Sequence, residues 1–191
     1  MNLELGARRR ILVYGAGFIV LSLVQLTMTV GDYFLLPDFL FLIPLLAAMW
    51  TPGYDGFALG LAAGFLRDYA AGRGYGPGML VGLLLGLLGN AVARSGWRQY
   101  AIRGSVLVVL STVFHELFLS LFSWILPFLP TETRFLQVLR VSFSRMPRLL
   151  LSNMVGALIL TGYFTLCFHD WKSKLKKQKQ TPTLSEAQHG R

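Results

Sequence analysis

Long runs of apolar residues, almost free of charge, constrain this sequence more than any other feature. The runs cover residues 11–30, 36–50, 56–71, 77–93, 104–130 and 149–168. A helix needs about 20 largely apolar residues to cross about 30 Å of hydrocarbon, so runs of this kind are typical of membrane spans. The second and third runs are short, and residues 50–56 between them have the composition of a tight turn. The sequence therefore predicts an all-α, polytopic membrane bundle of six spans.

The basic residues predict how this bundle is oriented. An even number of spans places both termini on one side, and most of the 18 basic residues fall on that side. They lie in the N-terminal tail, the loop after the fourth run and the C-terminal tail: Arg8, Arg9, Arg10, Arg94, Arg98, Arg103, Lys172, Lys174, Lys176, Lys177, Lys179 and Arg191. Because cytoplasmic segments are enriched in Lys and Arg, both termini are predicted to be cytoplasmic.

This reading divides the chain into three parts. Residues 1–10 form a cytoplasmic tail, residues 11–170 the six-helix transmembrane domain, and residues 171–191 a basic tail. The last part is polar and has no apolar period, so we expect it to be disordered. Its lysines favour anionic lipid over nucleic acid as the partner of the tail.

The segment before the last run, residues 129–148, mixes apolar residues with arginines. Arg134, Arg140 and Arg145 interrupt its apolar positions as in a helix that lies in the membrane interface. The alternative is that this segment is the arginine-anchored start of the sixth helix. In both cases the three arginines are candidates for contact with lipid headgroups or a partner protein.

Glycines recur at intervals of four in the third and fourth runs. One row holds Gly56, Gly60, Gly64, Asp68, Gly72 and Gly76, and the other holds Gly78, Gly82 and Gly86 and continues to Asn90. Residues four apart share a helix face, and small residues there let two backbones approach closely in lipid. The rows predict close packing of the third and fourth helices on each other or on a neighbour, within or between chains. Asp68 is predicted to anchor the turn, through Arg67, Arg73 or backbone N–H groups.

A proline and an acid open the second run. Pro37 and Asp38 are favourable at a helix N-terminus, because proline suits the first turn and a carboxylate complements the helix dipole. Capping of the second helix is therefore the interpretation of both residues.

The dipeptide His115–Glu116 lies deep in the fifth run, where charged residues usually face the bundle interior or a cavity. The residues that follow it are LFL, so the H-E-x-x-H pattern of zinc enzymes is not met. The single Cys167 excludes an intramolecular disulfide and a cysteine-based metal cluster. We expect no metal, no cofactor and no catalytic group. A pocket lined by His115, Glu116 and Arg148 remains open as an alternative.

Two stretches carry a resemblance to a known family. The second run opens with PDFLFL at residues 37–42, and the third leads into GLAAGFLRDYAAGRGYGPGML at residues 60–80. A proline–aspartate start to the second span, followed by G-x-x-x-G-[LF]-x-x-D-x-x-x-G-x-x-x-G, resembles the pattern of the rod shape-determining MreD family. Here the pattern is met by Gly60, Gly64, Phe65, Asp68, Gly72 and Gly76. The resemblance extends over residues 8–170, and its specific part is residues 37–80.

The resemblance implies a bacterial inner-membrane scaffold of the cell-elongation machinery. Such proteins bind the single-span protein MreC, and through it connect MreB filaments to the peptidoglycan synthase RodA and its transpeptidase. The family has no established catalytic residues and is similar in fold to the S-components of energy-coupling-factor vitamin transporters. The partner is then expected to contact the glycine rows or residues 131–148. The alternative is an S-component-like subunit that binds a small molecule in a pocket between helices 3, 5 and 6.

Overall fold

The structure is a computed structural model, and it describes residues 7–28, 36–51, 53–71, 76–93, 97–125 and 135–168. Within these ranges the predicted all-α class is confirmed, with six helices and no strand. The helices are α1 (Ala7–Met28), α2 (Phe39–Trp50), α3 (Asp55–Ala71), α4 (Pro77–Val92), α5 (Trp97–Ile125) and α6 (Phe135–Phe168). Gly72, Arg73 and Arg134 lie outside the described residues, as do residues 1–6 and the C-terminal tail from residue 169 onward.

Each predicted run contains a helix, but the helices differ in length. In the described part of the chain three helices are long and apolar enough to cross a membrane, namely α1, α5 and α6. The others are shorter, with 12 residues in α2, 17 in α3 and 16 in α4. At 1.5 Å per residue, α2 covers only about 18 Å. The structure therefore shows three helices of spanning length and leaves the prediction of six spans as a prediction.

Helix α2 lies at the centre of the bundle. Every residue from Phe39 to Met49 is buried, and the helix packs against all five others. A helix that is apolar on every face is typical of a fully enclosed position. The proline at position 44 lies inside it, where it lacks an N–H for the helical ladder without ending the helix.

The outer helices expose apolar side chains in quantity. Leu12 of α1, Leu110 of α5 and Leu158 of α6 are 71%, 62% and 72% exposed. Such a surface is unusual for a monomer in water, whereas hydrocarbon covers it at no cost. The exposed faces thus agree with the spanning length of the same three helices.

Helix α6 is unusually long, with 34 residues. Residues 135–148, the described part of the arginine-rich segment, are continuous with residues 149–168, although Pro147 lies within the helix. The structure thus gives the second of the two alternatives for this segment, the start of the sixth helix. The pairs Trp124–Phe135 and Thr112–Asn153 join α5 to α6 over most of its length.

The first turn of α1 closes the end of the bundle where α2 and α6 finish. Arg9 donates to the carbonyl oxygen of Cys167 at 2.6 Å, and Arg10 pairs with Asp55 at 3.1 Å. Residues 7–10, predicted to lie in a tail, therefore form part of α1 and bind two other helices.

Candidate functional site

The glycine rows form a seam between α3 and α4. The two helices are antiparallel, and the seam pairs Gly56 with Gly86, Gly60 with Gly82 and Gly64 with Gly78. A Cβ on any of these six glycines would lie closer than 3.0 Å to atoms of a neighbouring helix. The backbones of α3 and α4 are thus in direct contact, as small-residue rows permit in lipid.

Helix α2 packs against one end of the seam, at Gly56 and Gly89. Gly56 faces Ala48, and Gly89 faces both Ala48 and the carbonyl oxygen of Leu45. The space at each of the six seam glycines is occupied by atoms of α2, α3 or α4 of this chain. The predicted close packing therefore lies within the chain.

Asp68 closes the seam at one end. Its Oδ1 accepts from the N–H of Gly78 at 2.7 Å, and its Oδ2 accepts from Gly76 at 2.9 Å and Met79 at 3.2 Å. Pro77, at the start of α4, has no N–H to satisfy. The carboxylate therefore caps α4 from α3. Of the roles predicted for Asp68, the structure shows the backbone one, and Asn90 closes the other end by accepting from the N–H of Gly53 at 3.2 Å.

The side chain of Arg67, the residue before Asp68, points away from the seam towards Asp38 and His115. Consecutive helical side chains diverge by about 100°, so Arg67 faces away from the seam. Its guanidinium donates to the Asp38 carboxylate and to Nε2 of His115. These three side chains, with Gln25 and Asn153, are called the polar cluster below.

The contact with Arg67 determines which ring nitrogen of His115 carries the proton. An arginine has only donors, so Nε2 of His115 accepts and the ring proton resides on Nδ1. Nδ1 lies 3.8 Å from the carboxylate of Glu116. The histidine is thus neutral and lies between the Arg67 guanidinium and the Glu116 carboxylate.

Asp38 is the centre of the polar cluster. Its Oδ1 accepts from the N–H of Phe41 at 3.1 Å, which is the predicted capping of α2, and from Gln25 at 2.9 Å. Its own N–H donates to Asn153 at 3.0 Å, and Asn153 donates to Thr112 at 3.1 Å. The polar cluster therefore joins α1, α3, α5 and α6 to the start of α2.

The predicted pocket residues are not brought together. His115 is buried within the polar cluster and Glu116 is partly buried beside it, but Arg148 is exposed on α6. Arg140 and Arg145 are exposed on the same helix. Among the described residues no group of three or more His, Cys, Asp or Glu side chains is placed to hold a metal ion.

Sequence reasoning missed Arg67, Gln25 and Asn153 as partners of Asp38. The available signal was the presence of polar residues inside apolar runs, since such residues usually pair with one another. This signal does not specify which polar residues meet, because residues that contact each other are separated by up to 115 positions in the sequence.

Comparison of the chain with protein-family models, curated proteins and solved structures finds no match.

The seam predicts an unequal response of glycines to alanine. Gly82→Ala places a methyl group against the backbone of Gly60, and overpacking of this kind costs about 1–3 kcal/mol or more. Gly162 has no atom within 4 Å of its would-be Cβ, so Gly162→Ala is expected to leave stability unchanged or to raise it by up to about 1 kcal/mol. Thermal unfolding of both purified variants in the same detergent measures the difference, and equal melting temperatures would contradict the seam.

Asp68→Asn tests the cap on α4. The variant keeps one acceptor oxygen but turns an amide NH₂ towards backbone donors, which leaves buried N–H groups unpaired at about 1–3 kcal/mol. Asp55→Asn is the matched control, because its ion pair with Arg10 is one-third exposed and contributes about 0–1 kcal/mol. The expected result is a clearly lower melting temperature for Asp68→Asn alone.

A double-mutant cycle tests the pairing inside the polar cluster. Arg67→Met alone leaves the partly buried Asp38 carboxylate without its cation. Breaking a fully buried pair costs about 3–5 kcal/mol, so a somewhat smaller loss of stability is expected here. Asp38→Asn keeps the cap on α2 and removes the charge, so Asp38→Asn combined with Arg67→Met is expected to be more stable than Arg67→Met alone. Additive melting-temperature losses would show that the two charges do not interact.

Proposed function

We propose that this chain is a non-enzymatic membrane scaffold of the bacterial cell-elongation machinery, of the MreD type. In this proposal it lies in the inner membrane with six membrane-embedded helices and both termini in the cytoplasm. It binds an MreC-like single-span protein, and through it helps couple MreB filaments to RodA and its transpeptidase. Three helices of spanning length and the exposed apolar faces support the membrane location.

One observation carries the proposal. Most of the described residues of the resemblance form one structural unit, in which the α3–α4 seam is closed by Asp68 and packs on α2, whose start is capped by Asp38. Pro37 meets Gly156 of α6 at the same place. A pattern whose members pack on each other describes a fold rather than a reaction site. That agrees with a family in which no catalytic residues are established.

The geometry also favours a scaffold over a small-molecule binder. In the S-component-like alternative, His115 and Arg148 are polar contacts of one ligand. Here His115 accepts from Arg67, while Arg148 lies on an exposed face of α6. Because the seam glycines pack within the chain, a partner would contact the exposed outer faces instead.

Complementation and co-purification test the proposed function together. The tagged full-length chain is expressed in a rod-shaped bacterium depleted of its own MreD, and cell shape and co-purifying membrane proteins are recorded. The expected result is restored rod shape with an MreC-like single-span protein as the main partner. Gly82→Ala serves as the destabilised control and Gly162→Ala as the matched neutral one.

Two results would contradict the proposed function. One is the recovery of neither rod shape nor a single-span partner from cells in which the wild-type chain is stable and in the membrane. The other is co-purification of an ATP-driven transport module with a stoichiometric small molecule, which would establish the alternative.

A further inference from the structure

Pro147 divides α6 into two parts that are held by different helices. In the longer part, which follows the proline, Asn153 accepts from the N–H of Asp38 at 3.0 Å. One turn further along, Gly156 packs directly against Pro37. These contacts fix the longer part of α6 to the start of α2.

The shorter part of α6, residues 135–146, lies against α5. The rings of Phe135 and Trp124 are 5.3 Å apart, and the hydroxyl groups of Ser142 and Ser120 share a hydrogen bond of 2.7 Å. Two contacts, one apolar and one polar, thus hold this part along two turns of α5.

A charge pair adds a third contact between the same two segments. Arg145 faces the carboxylate of Glu116, the residue that follows His115 of the polar cluster. In the part of the chain that the structure describes, the hydrogen bonds, ring contacts and charge pairs that leave residues 135–146 all go to α5. Residues 135–146 are called the strap below.

The helix is weakest where the strap joins the rest of α6. Pro147 has no N–H for the carbonyl oxygen of Phe143, and its ring crowds that carbonyl group. One turn earlier, the hydroxyl of Ser144 donates to the carbonyl oxygen of Val141 at 2.7 Å, a bond that competes with the helical ladder. Both features lie at the boundary between the part held by α5 and the part held by α2.

A second interior proline shows what is special about this position. Pro44 of α2 is fully buried, so the surrounding helices leave it no room to bend. Pro147 is exposed, and so are Ser144 and Arg148 beside it. Since sharp bends in helices occur mainly at proline, Pro147 is the one of the two at which a helix is free to bend.

We infer that the strap is a hinged element, which rotates about Pro147 between the docked position on α5 and an open position. Opening breaks the bond between Ser120 and Ser142 and uncovers the face of α5 that carries Glu116 and Trp124. The strap thereby controls access to that face. The hinge is independent of the partner proposed above.

Contact quenching by tryptophan measures how much of the protein is open. Full-length protein with Cys167→Ser and Leu136→Cys carries a bimane fluorophore on its single cysteine, at a position that is 77% exposed and adjacent to Phe135. Trp124 quenches the fluorophore on contact, and the same protein with Trp124→Phe gives the unquenched signal. The expected fluorescence decay contains two populations, a quenched docked one and an unquenched open one.

Two variants shift these populations in opposite directions. Pro147→Ala restores one backbone hydrogen bond to the straight helix and is expected to lower the open fraction about threefold to tenfold. Ser120→Ala removes a docking bond and is expected to raise the open fraction by a similar factor. Pro44→Ala and Ser105→Ala are the matched controls, because Pro44 is enclosed and Ser105 bonds to its own helix. Both controls are expected to leave the open fraction unchanged.

The outcomes that overturn the inference are distinct. One is a single, fully quenched population in the parent protein, and another is an open fraction that Pro147→Ala leaves unchanged. A third is an equal response to Ser120→Ala and Ser105→Ala, which would separate the opening from the docking contact. Melting temperatures verify that each variant is folded. Cell shape and co-purification do not enter the measurement, so the inference and the proposed function fail separately.

Discussion

The direct contact between the backbones of α3 and α4 is the constraint on which the rest of the structure depends. At Gly60 and Gly82 no atom larger than hydrogen fits between the helices. Because α3 and α4 lie so close together, α2 can pack across both of them, with Ala48 against Gly56 and Gly89. The remaining helices then enclose α2. An enclosed helix is not required to match the bilayer, which accounts for the short length of α2. The long helices α1, α5 and α6 then provide the faces that meet lipid.

The carboxylates of Asp68, which is buried, and Asp38, which is partly buried, satisfy the first N–H groups of two different helices. A helix that starts inside the bundle cannot leave its first N–H groups to water, so another partner must accept them. Asp68 accepts them for α4 from a neighbouring helix, and Asp38 accepts for α2 from its own N-cap position. Arg67 compensates the charge of Asp38 and not that of Asp68, although Asp68 is its neighbour in sequence. The adjacent arginine and aspartate thus act in two separate places.

Local patterns predicted the parts of this fold that depend on local spacing. The apolar runs predicted the helices, the glycine period of four predicted the close packing of α3 and α4, and Pro37–Asp38 predicted the cap on α2. Contacts between distant segments could not be obtained in this way. The spacing of Gly64 and Gly82 is equally compatible with an internal seam and with a partner helix. Only the contacts of Gly64 with Gly78 and of Gly82 with Gly60 distinguish the two. The bond from Asp38 to Asn153 spans 115 residues. The same arginines of residues 129–148 suit a flat or an upright helix, and the packing of α5 decides.

The polar cluster attaches the two longest helices to the centre of the bundle. Asn153 of α6 accepts from the N–H of Asp38 and donates to Thr112 of α5, while His115 of α5 accepts from Arg67. These bonds connect α5 and α6 to the start of α2 and to α3. Pro147 would otherwise weaken α6 near this level, since it removes a helical hydrogen bond. The contacts of Asp38 and Arg67 therefore hold α5 and α6 in a fixed orientation relative to the enclosed helix α2.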